Sequence, residues 1–402
     1  MSHAIVIGGG IGGLTAAVAL HQQGWSVTVL ERAASLEPVG AGIGLAPNSQ
    51  RALDVIGLGD RVRDLAGWAG DGGMRTARGR WLARTSTAAI QARFGGSLIA
   101  VHRAELVDIL TSALPAGCLR TSAAARLVDP GGADRRAVVS TGGEELEADL
   151  VIGADGINSG VRKVLFPDHP GPVYSGFTAW RIVLDAPDLS FEPHESWGRG
   201  RIWGTHPLKG GRIYAYAAAV TPEGGRAHDD ERAELARLYA GWHDPIPAII
   251  EAADPAKILR NDVRHMAEPL PAYHHGRTAL LGDAAHAMPP TLGQGGNQAI
   301  EDAVVLAHHA RSAADLDLAT YTEERLPRTG AIVKQAVRTA KLEMLDNAAL
   351  GAVRNAFIAS VSRLGPNFMI KSMESVIDWR PPQATYAATT GQTGQVGSGR
   401  QA

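Results

Sequence analysis

Apolar positions at the start of the chain come in short unbroken blocks, each closed by glycine. His3–Ile7 is too brief for a helix and reads as a strand buried on both faces. The stretch GGGIGG at 8–13 follows. Leu14–Gln23 then reads as a helix that Gly24 stops. Ser26–Leu30 (SVTVL) predicts a second strand, ending at Glu31. Strand, turn, helix and strand thus fill roughly thirty residues, the size of a βαβ unit.

The same punctuation recurs downstream. Pro47 predicts the start of a helix that Gly57 closes. Arg103–Leu114 predicts another, with Leu106, Ile109 and Leu110 on one face. Residues 118–152 predict three strands separated by polar turns at PGGADRR and TGGEE, the last running into a second glycine turn, GADG. From 173 to 220 the pattern changes. YSGFTAWRIVLD, GRIWGTH and RIYAYAAAV are rich in β-branched and aromatic residues and predict a separate antiparallel sheet, with LKGG turning a hairpin. Helices are expected near 229–240 and 245–253. A strand at 277–282 ends at Asp283, a Pro-Gly loop follows, and Asn297–Ala310 predicts a helix. Residues 317–364 read as helical, interrupted near Pro327, and the polar, aperiodic tail 383–402 reads as disordered.

At 402 residues the chain predicts two domains, or one with a large elaboration. A net charge of −2 leaves no basic footprint for nucleic acid. The single cysteine, Cys118, excludes an intrachain disulfide, disulfide redox chemistry and a thiolate metal cluster, and it reads as a small buried hydrophobe. No metal site is expected. The N-terminus lacks a basic leader, and no apolar run reaches the ~18 residues of a membrane span, so a cytoplasmic address is expected.

Three glycine-rich units carry the chemistry. In the first, Gly8, Gly10 and Gly13 fit G-x-G-x-x-G between a strand and a helix, where a pyrophosphate can approach bare backbone and the positive end of the helix. An acid, Glu31, after the second strand suits a free ribose 2′-hydroxyl, hence FAD or NAD rather than NADP. In the second, LVIGADGINSGVRK, Asp155 and Gly156 end a strand. Asp155 can cap the helix that carries Ser159 and Arg162. The third, TALLGDAAHAMPPTLGQGGNQAIEDA, is the most informative. Asp283 sits at the carboxyl end of a strand, and Gly293, Gly295 and Gly296 remove side chains just before a helix. A planar ring could lie there with its electron-rich edge at the helix N-terminus, which suits a reduced flavin.

Together these units resemble the FAD-dependent aromatic hydroxylases, the group A flavoprotein monooxygenases, in the style of the salicylate, urate and 3-hydroxybenzoate hydroxylase branch. GAGIGLAPNSQRALDVIGL and VHRAEL are similar to further stretches of that family, and the resemblance spans roughly residues 3–380. It implies an α/β fold: a Rossmann-like FAD-binding domain (1–172 and 260–325, with some substrate-domain elements near 70–100), an inserted antiparallel substrate-binding sheet (173–259), C-terminal helices (326–382) and the tail. It also implies roles. Glu31, with Arg32 beside it, would hold the adenosine ribose. Arg103 would meet the phosphates or ribityl chain, and Asp283 the pyrophosphate–ribityl region. Pro290, Gly293, Gly295, Gly296 and Asn297 would line the isoalloxazine. Asp155 and Gly156 would contribute to FAD and transient nicotinamide binding. NADH or NADPH would serve as co-substrate without a Rossmann domain of its own. The implied reaction is hydroxylation of an aromatic or other electron-rich small molecule through a flavin C4a-hydroperoxide.

The second sheet supplies the pocket candidates. Tyr214 and Tyr216 share a face of one strand. On the neighbouring strand Arg201, Trp203 and Thr205 share one face, and Ile202, Gly204 and His206 the other. Trp180 and Arg181 lie on the first strand of this sheet. His206 is the histidine to act as a base if it faces the flavin, although beside Pro207 it also reads as a surface residue. His286 reads as structural, and His308 with His309 as a solvated helix face. The same fold could also perform epoxidation, Baeyer–Villiger insertion or oxidative decarboxylation. A non-catalytic FAD-fold binding protein is disfavoured by the intact third unit, and a flavin halogenase by the lack of W-x-W-x-I-P. The C-terminal helices, with VSRLGPNFMIKSMESVIDW, could cover the active site, pair two copies as a homodimer or touch a membrane surface.

Overall fold

The computed structural model describes residues 1–36, 41–67, 71–186, 188–363 and 373–386. His3–Ile7 lies near the middle of a six-stranded sheet in the order 274–275, 278–280, 150–153, 3–7, 26–30 and 119–120. All neighbours run parallel except the edge pair His274–His275 and Thr278–Leu280. The helix after the first glycine turn spans Ile11–Gln22, starting three residues before Leu14. It begins early because Gly12 and Gly13 are needed inside it. A Cβ on Gly12 would stand 2.7 Å from the Leu281 side chain, and one on Gly13 2.1 Å from the Gly8 carbonyl oxygen. Every residue from Ile11 to Leu20 is buried. The helix packs on the sheet and on a second helix, Gly295–His309, and Trp25 Nε1 donates to the Ala310 carbonyl at 2.8 Å. A helix enclosed this way has no polar face to show in its sequence.

Residues 118–152 follow the expected turns but not the expected strand count. Ala125–Asp129, Ala137–Thr141 and Glu144–Ala148 form a three-stranded antiparallel sheet. The chain then leaves it at Asp149, and Leu150–Gly153 joins the parallel sheet. The Asp149 carboxylate fixes this corner by accepting from the His3 N–H and the Arg136 guanidinium, both at 2.9 Å. Leu119–Arg120 adds a short edge strand beside Val29 and Leu30.

The second large sheet has seven strands, in the order 259–266, 172–185, 212–220, 201–207, 194–197, 72–76 and 81–85. The strands within 172–220 pair antiparallel, as expected, and a parallel pair joins His194–Trp197 to Gly72–Thr76. A boundary drawn at 259/260 cuts the edge strand Leu259–Met266, whose Val263 packs with Phe177, Ala179 and Ala218 of this sheet. One face carries Trp180, Trp203, Ile213 and Ala215 against the helices Glu231–Leu238 and Ile246–Ala252. The other carries Arg181, Glu195, Gly204, His206, Tyr214 and Tyr216, as the pairing registers require.

The long helix Leu318–Glu343 runs straight through Pro327, where an interruption was expected. The missing hydrogen bond costs about 3 kcal/mol, but Tyr321, Arg325, Thr329, Ile332, Val333 and Ala336 form a buried stripe on both sides of the proline. The break comes instead before Asn347, whose side chain accepts from the Ala349 and Leu350 N–H groups to start the helix Ala348–Ser362. Within the tail expected to be disordered, Tyr386 is buried, and its hydroxyl donates to the Val304 carbonyl at 2.8 Å. Gln383 Oε1 accepts from His308 Nδ1 at 2.7 Å, and His309 pairs with Glu324, so these histidines do not form a plain solvated face. Residues 387–402, and 364–372 of the stretch 361–379, lie outside the described residues.

A buried ion network joins two of these helices. Arg325 donates to Asp302 at 2.7 Å and Glu301 at 2.6 Å, and Arg328 reaches Glu301 at 2.7 Å. Arg325, Glu301 and Asp302 have at most 1 % of their side-chain surface exposed. Removing one partner strands uncompensated charge. Arg325→Ala is expected to lower unfolding stability by about 3–5 kcal/mol, read from urea denaturation; a loss within 0.5 kcal/mol, on the order of an ordinary surface substitution, would refute the assignment.

Candidate active site

The first glycine turn divides its work among its glycines. Gly8 has φ +113°, and a Cβ there would lie 2.3 Å from the Ala154 carbonyl oxygen. Gly8 and Gly13 therefore serve close backbone packing. A Cβ on Gly10 would meet nothing within 4 Å, so this position opens onto free space. Gly10 is also the N-cap of the helix, with no side-chain cap and no acid in the first turn. The N–H groups there stay available to an anion. Glu31 reaches back under the turn, accepting from Gly9 N–H at 2.7 Å and Ala33 N–H at 2.8 Å. Arg32 is exposed beside it.

The second turn leans on the first through that Gly8–Ala154 contact. Asp155 accepts from the Ser159 hydroxyl and from the N–H groups of Gly160 (2.7 Å) and Val161 (3.1 Å). Its carboxylate is thus engaged in starting the helix Gly160–Leu165. Gly156, at φ +78°, has open space around it. Arg162 is buried and donates to the Ala284 carbonyl at 2.9 Å, tying the second unit to the third.

In the third unit, Gly295 opens the helix Gly295–His309, again without a side-chain cap or an early acid. A Cβ on Gly293 would meet nothing within 4 Å, and one on Gly295 only Asp283 Oδ1 at 3.9 Å. Gly296 differs: the Ile43 side chain fills its flank at 2.7 Å. Asn297 is fully buried. It accepts from Ala46 N–H at 2.8 Å and from the Ser49 hydroxyl, and donates to the carbonyls of Gly44 (2.9 Å) and Gly293 (2.6 Å). Its side chain holds the loop in place and is not free to line a ring. Pro290 is exposed at the lip of the loop. His286 Nε2 meets Asp302 Oδ2 at 2.5 Å in the core, a structural position. Burial alone would raise the Asp302 carboxyl, but His286 and Arg325 hold it below the usual range.

These turns surround a deep cleft. Asp283 is exposed, yet burial pushes its carboxyl up despite the opposing pull of His286, Arg103, Arg181 and Arg162. Arg103 is also exposed, and burial with neighbouring Arg181 lowers its pKa. Accessible groups that still feel burial line a concavity. Arg181 carries the cleft onto the seven-stranded sheet, where it lies beside Tyr214 and donates to Asn261 Oδ1 at 3.0 Å. Tyr214 packs against the backbone of Gly42, where a Cβ would stand 2.4 Å from its ring. Tyr216 lies flat over Gly204, which has room for no side chain, and its ring stacks on His206 with centroids 5.8 Å apart.

His206 does face inward, but burial lowers its pKa to about 4, so it is neutral at physiological pH and a weak base. The sequence reading missed Glu195, which accepts from the Tyr216 hydroxyl at 2.5 Å and from the Trp197 indole N–H. The available signal was an acid in HESW at the inward position of a short strand. It also missed Gly42 and Gly204, whose lack of side chains seats the two tyrosines.

Glycines open to empty space at two uncapped helix N-termini, with an acid under the first turn, fit an elongated dinucleotide carrying a flat ring, as FAD is. Residues 1–336 match the family described as FAD binding domain. The chain is 37% identical to aurachin C monooxygenase/isomerase of Stigmatella aurantiaca, over 89% of this chain and 94% of that protein. It is 34% identical to an FAD-dependent urate hydroxylase of Klebsiella pneumoniae, over 83% and 88%. The structure of Klebsiella pneumoniae HpxO complexed with FAD and uric acid matches at a TM-score of 0.83 and 29% identity, covering 93% of this chain and 97% of that one. Among the described residues no helix is long and apolar enough to cross a membrane. With most of its length inside the family match, the chain is an FAD-binding member of the group A flavoprotein monooxygenases, the FAD-dependent aromatic hydroxylases.

Proposed function

We propose that the protein is a single-component monooxygenase that uses NADH or NADPH and O₂ to hydroxylate an aromatic or electron-rich heterocyclic small molecule. The carrying observation is the cleft itself, which joins the two open glycine positions to an aromatic sheet face through Arg181. Two electrons come from the nicotinamide, one oxygen atom enters the substrate, and the other leaves as water. Bound FAD supplies the redox chemistry that couples these steps.

The chain's own residues bind, orient and exclude water. The helix N-terminus at Gly10 would hold the pyrophosphate, with Glu31 at the ribose and Arg103 and Asp283 along the ribityl region. Gly293 and Gly295 would accept the flat ring, and the uncapped helix behind them would stabilise negative charge on its edge. Tyr214, Tyr216 and His206 would form the far wall, with burial raising both phenols. A wall of neutral groups excludes water from a reactive centre.

Purified with FAD, the protein is expected to be yellow, to oxidise NADH or NADPH faster with a fitting ring compound, and to put one atom of isotopically labelled O₂ into the product. A colourless protein that also ignores added FAD would refute the reading. Gly10→Val and Gly295→Val should fold normally by circular dichroism yet raise the FAD Kd at least about 100-fold, or ~2.7 kcal/mol, because the new side chains enter the ligand's space. Gly13→Val, by contrast, should fail to fold. For His206→Asn the kcat/KM profile should keep its shape between about pH 6 and 9, since a histidine titrating near 4 is already neutral there; a lost inflection in that range would make His206 a working base.

A further inference from the structure

The helices Leu318–Glu343 and Ala348–Ser362 follow each other as a hairpin. Both turn one side to the seven-stranded sheet, where Ala340, Met344 and Ile358 pack with Phe177, Trp197 and Ile202. Arg354 ties the two helices together, donating to the Leu342 carbonyl at 2.8 Å and stacking on the Trp197 ring. Their opposite sides therefore share one outward surface.

On the second helix that surface is apolar. Leu350, Val353 and Phe357 are spaced by three and four residues, fall on one face, and are 54 %, 67 % and 66 % exposed. Arg354 is the one charged residue of Ala348–Ser362, and it is buried. Leu342 extends the patch onto the first helix at 52 % exposure. A single exposed leucine is ordinary, but four large apolar side chains on one uncharged patch mark a contact surface.

The first helix adds charge of one sign. Lys334, Arg338 and Lys341 follow the exposed line that ends at Leu342, and Arg363 is exposed just beyond the second helix. No acid interrupts the sequence between Glu324 and Glu343, and Glu343 is buried. Asp346, in the turn between the helices, is paired with Arg199 at 2.9 Å. None of the four cations has an ion-pair partner among the described residues. In a chain whose net charge is −2, this basic row is a local feature.

Charge and apolar surface together select the occupant. A second copy meeting this face about a two-fold axis would bring another basic row and no acid to balance it. An anionic lipid surface offers both complements, acyl chains for the apolar face and phosphates for the cations. It also suits the opening on this side: Lys341 lines a cavity of about 470 Å³ that is otherwise walled by Pro289, Val337, Ala340 and Met344 among others. We propose that the hairpin docks the protein on an anionic membrane surface. Leu350, Val353 and Phe357 enter the boundary between headgroups and acyl chains, and the basic row lies at the phosphates. The protein rests on the bilayer by this face and sends no helix across it.

The test is sedimentation of the FAD-loaded protein with phosphatidylcholine vesicles, with and without about 30 mol% phosphatidylserine. Binding to the anionic vesicles is expected to be at least about tenfold tighter than to the neutral ones, and to weaken between about 0.1 M and about 0.5 M salt. Val353→Asp with Phe357→Asp should weaken it at least about tenfold, and Lys334→Gln with Arg338→Gln should lower the preference for anionic vesicles at least about threefold. All four positions are exposed, so both double variants should keep the wild-type circular dichroism. No binding to anionic vesicles, equal binding to both compositions, or double variants that bind like the wild type would each overturn the proposal. So would a dimer in ultracentrifugation that Val353→Asp with Phe357→Asp dissociates while vesicles stay unbound, since the face would then be a self-contact. If one double variant does not fold, the other and the wild-type ratio decide.

Discussion

The helix beginning at Gly295 must do two things that conflict. For the proposed ring to reach its N–H groups, its opening must stay without a side-chain cap, an early acid or a side chain at the first glycine. An uncapped helix end is poorly fixed, however, because its orphan donors have no partners to hold them. The protein moves the fastening inward. Asn297, the third residue of the helix, grips the Gly44 and Gly293 carbonyls, the Ala46 N–H and the Ser49 hydroxyl. Glu301 and Asp302 then lock the next turns to Arg325 and Arg328. The buried charges bring no clear gain over well-packed apolar groups in free energy. What they supply is a fixed direction for a helix whose open end cannot supply its own.

The opposite wall is arranged by different means. The seven-stranded sheet turns Trp180 and Trp203 away, toward the helices behind it, and turns tyrosines, a neutral histidine and a carboxyl to its other face. Glycines set the positions of these rings. Gly42 and Gly204 leave flat backbone where Tyr214 and Tyr216 can lie close, and the tilt of Tyr216 brings its hydroxyl to Glu195. Burial raises the Glu195 carboxyl and the phenols of Tyr214 and Tyr216 and lowers the His206 imidazole.

The sequence made the nucleotide side legible because glycine spacing and strand–helix alternation are local. GGGIGG, GADG and the 283–297 stretch each announce a turn, and the structure brings all three to one sheet edge. Their individual roles were less legible. Whether a glycine serves packing, as Gly8 and Gly13 do, or open space, as Gly10 and Gly295 do, depends on the folded surroundings: Ala154 crowds Gly8, and the Gly8 carbonyl crowds Gly13. Asn297 looked like a ring-lining residue and is a clamp for the same reason. Pro327 misled because propensity is weak against a buried stripe on both sides. Glu195 escaped notice because an isolated acid carries no periodic signal, and only the sheet register sets it on the face of Tyr216.

The end of the described chain has its own consequence. Tyr386 is buried, its hydroxyl on Val304 and its N–H on the Val55 carbonyl, so the polypeptide closes over two helices of the nucleotide side like a clasp. An extension added after Ala402 has sixteen intervening residues before it meets that clasp. A shortening that reaches Tyr386 instead uncovers the back of the helix that begins at Gly295.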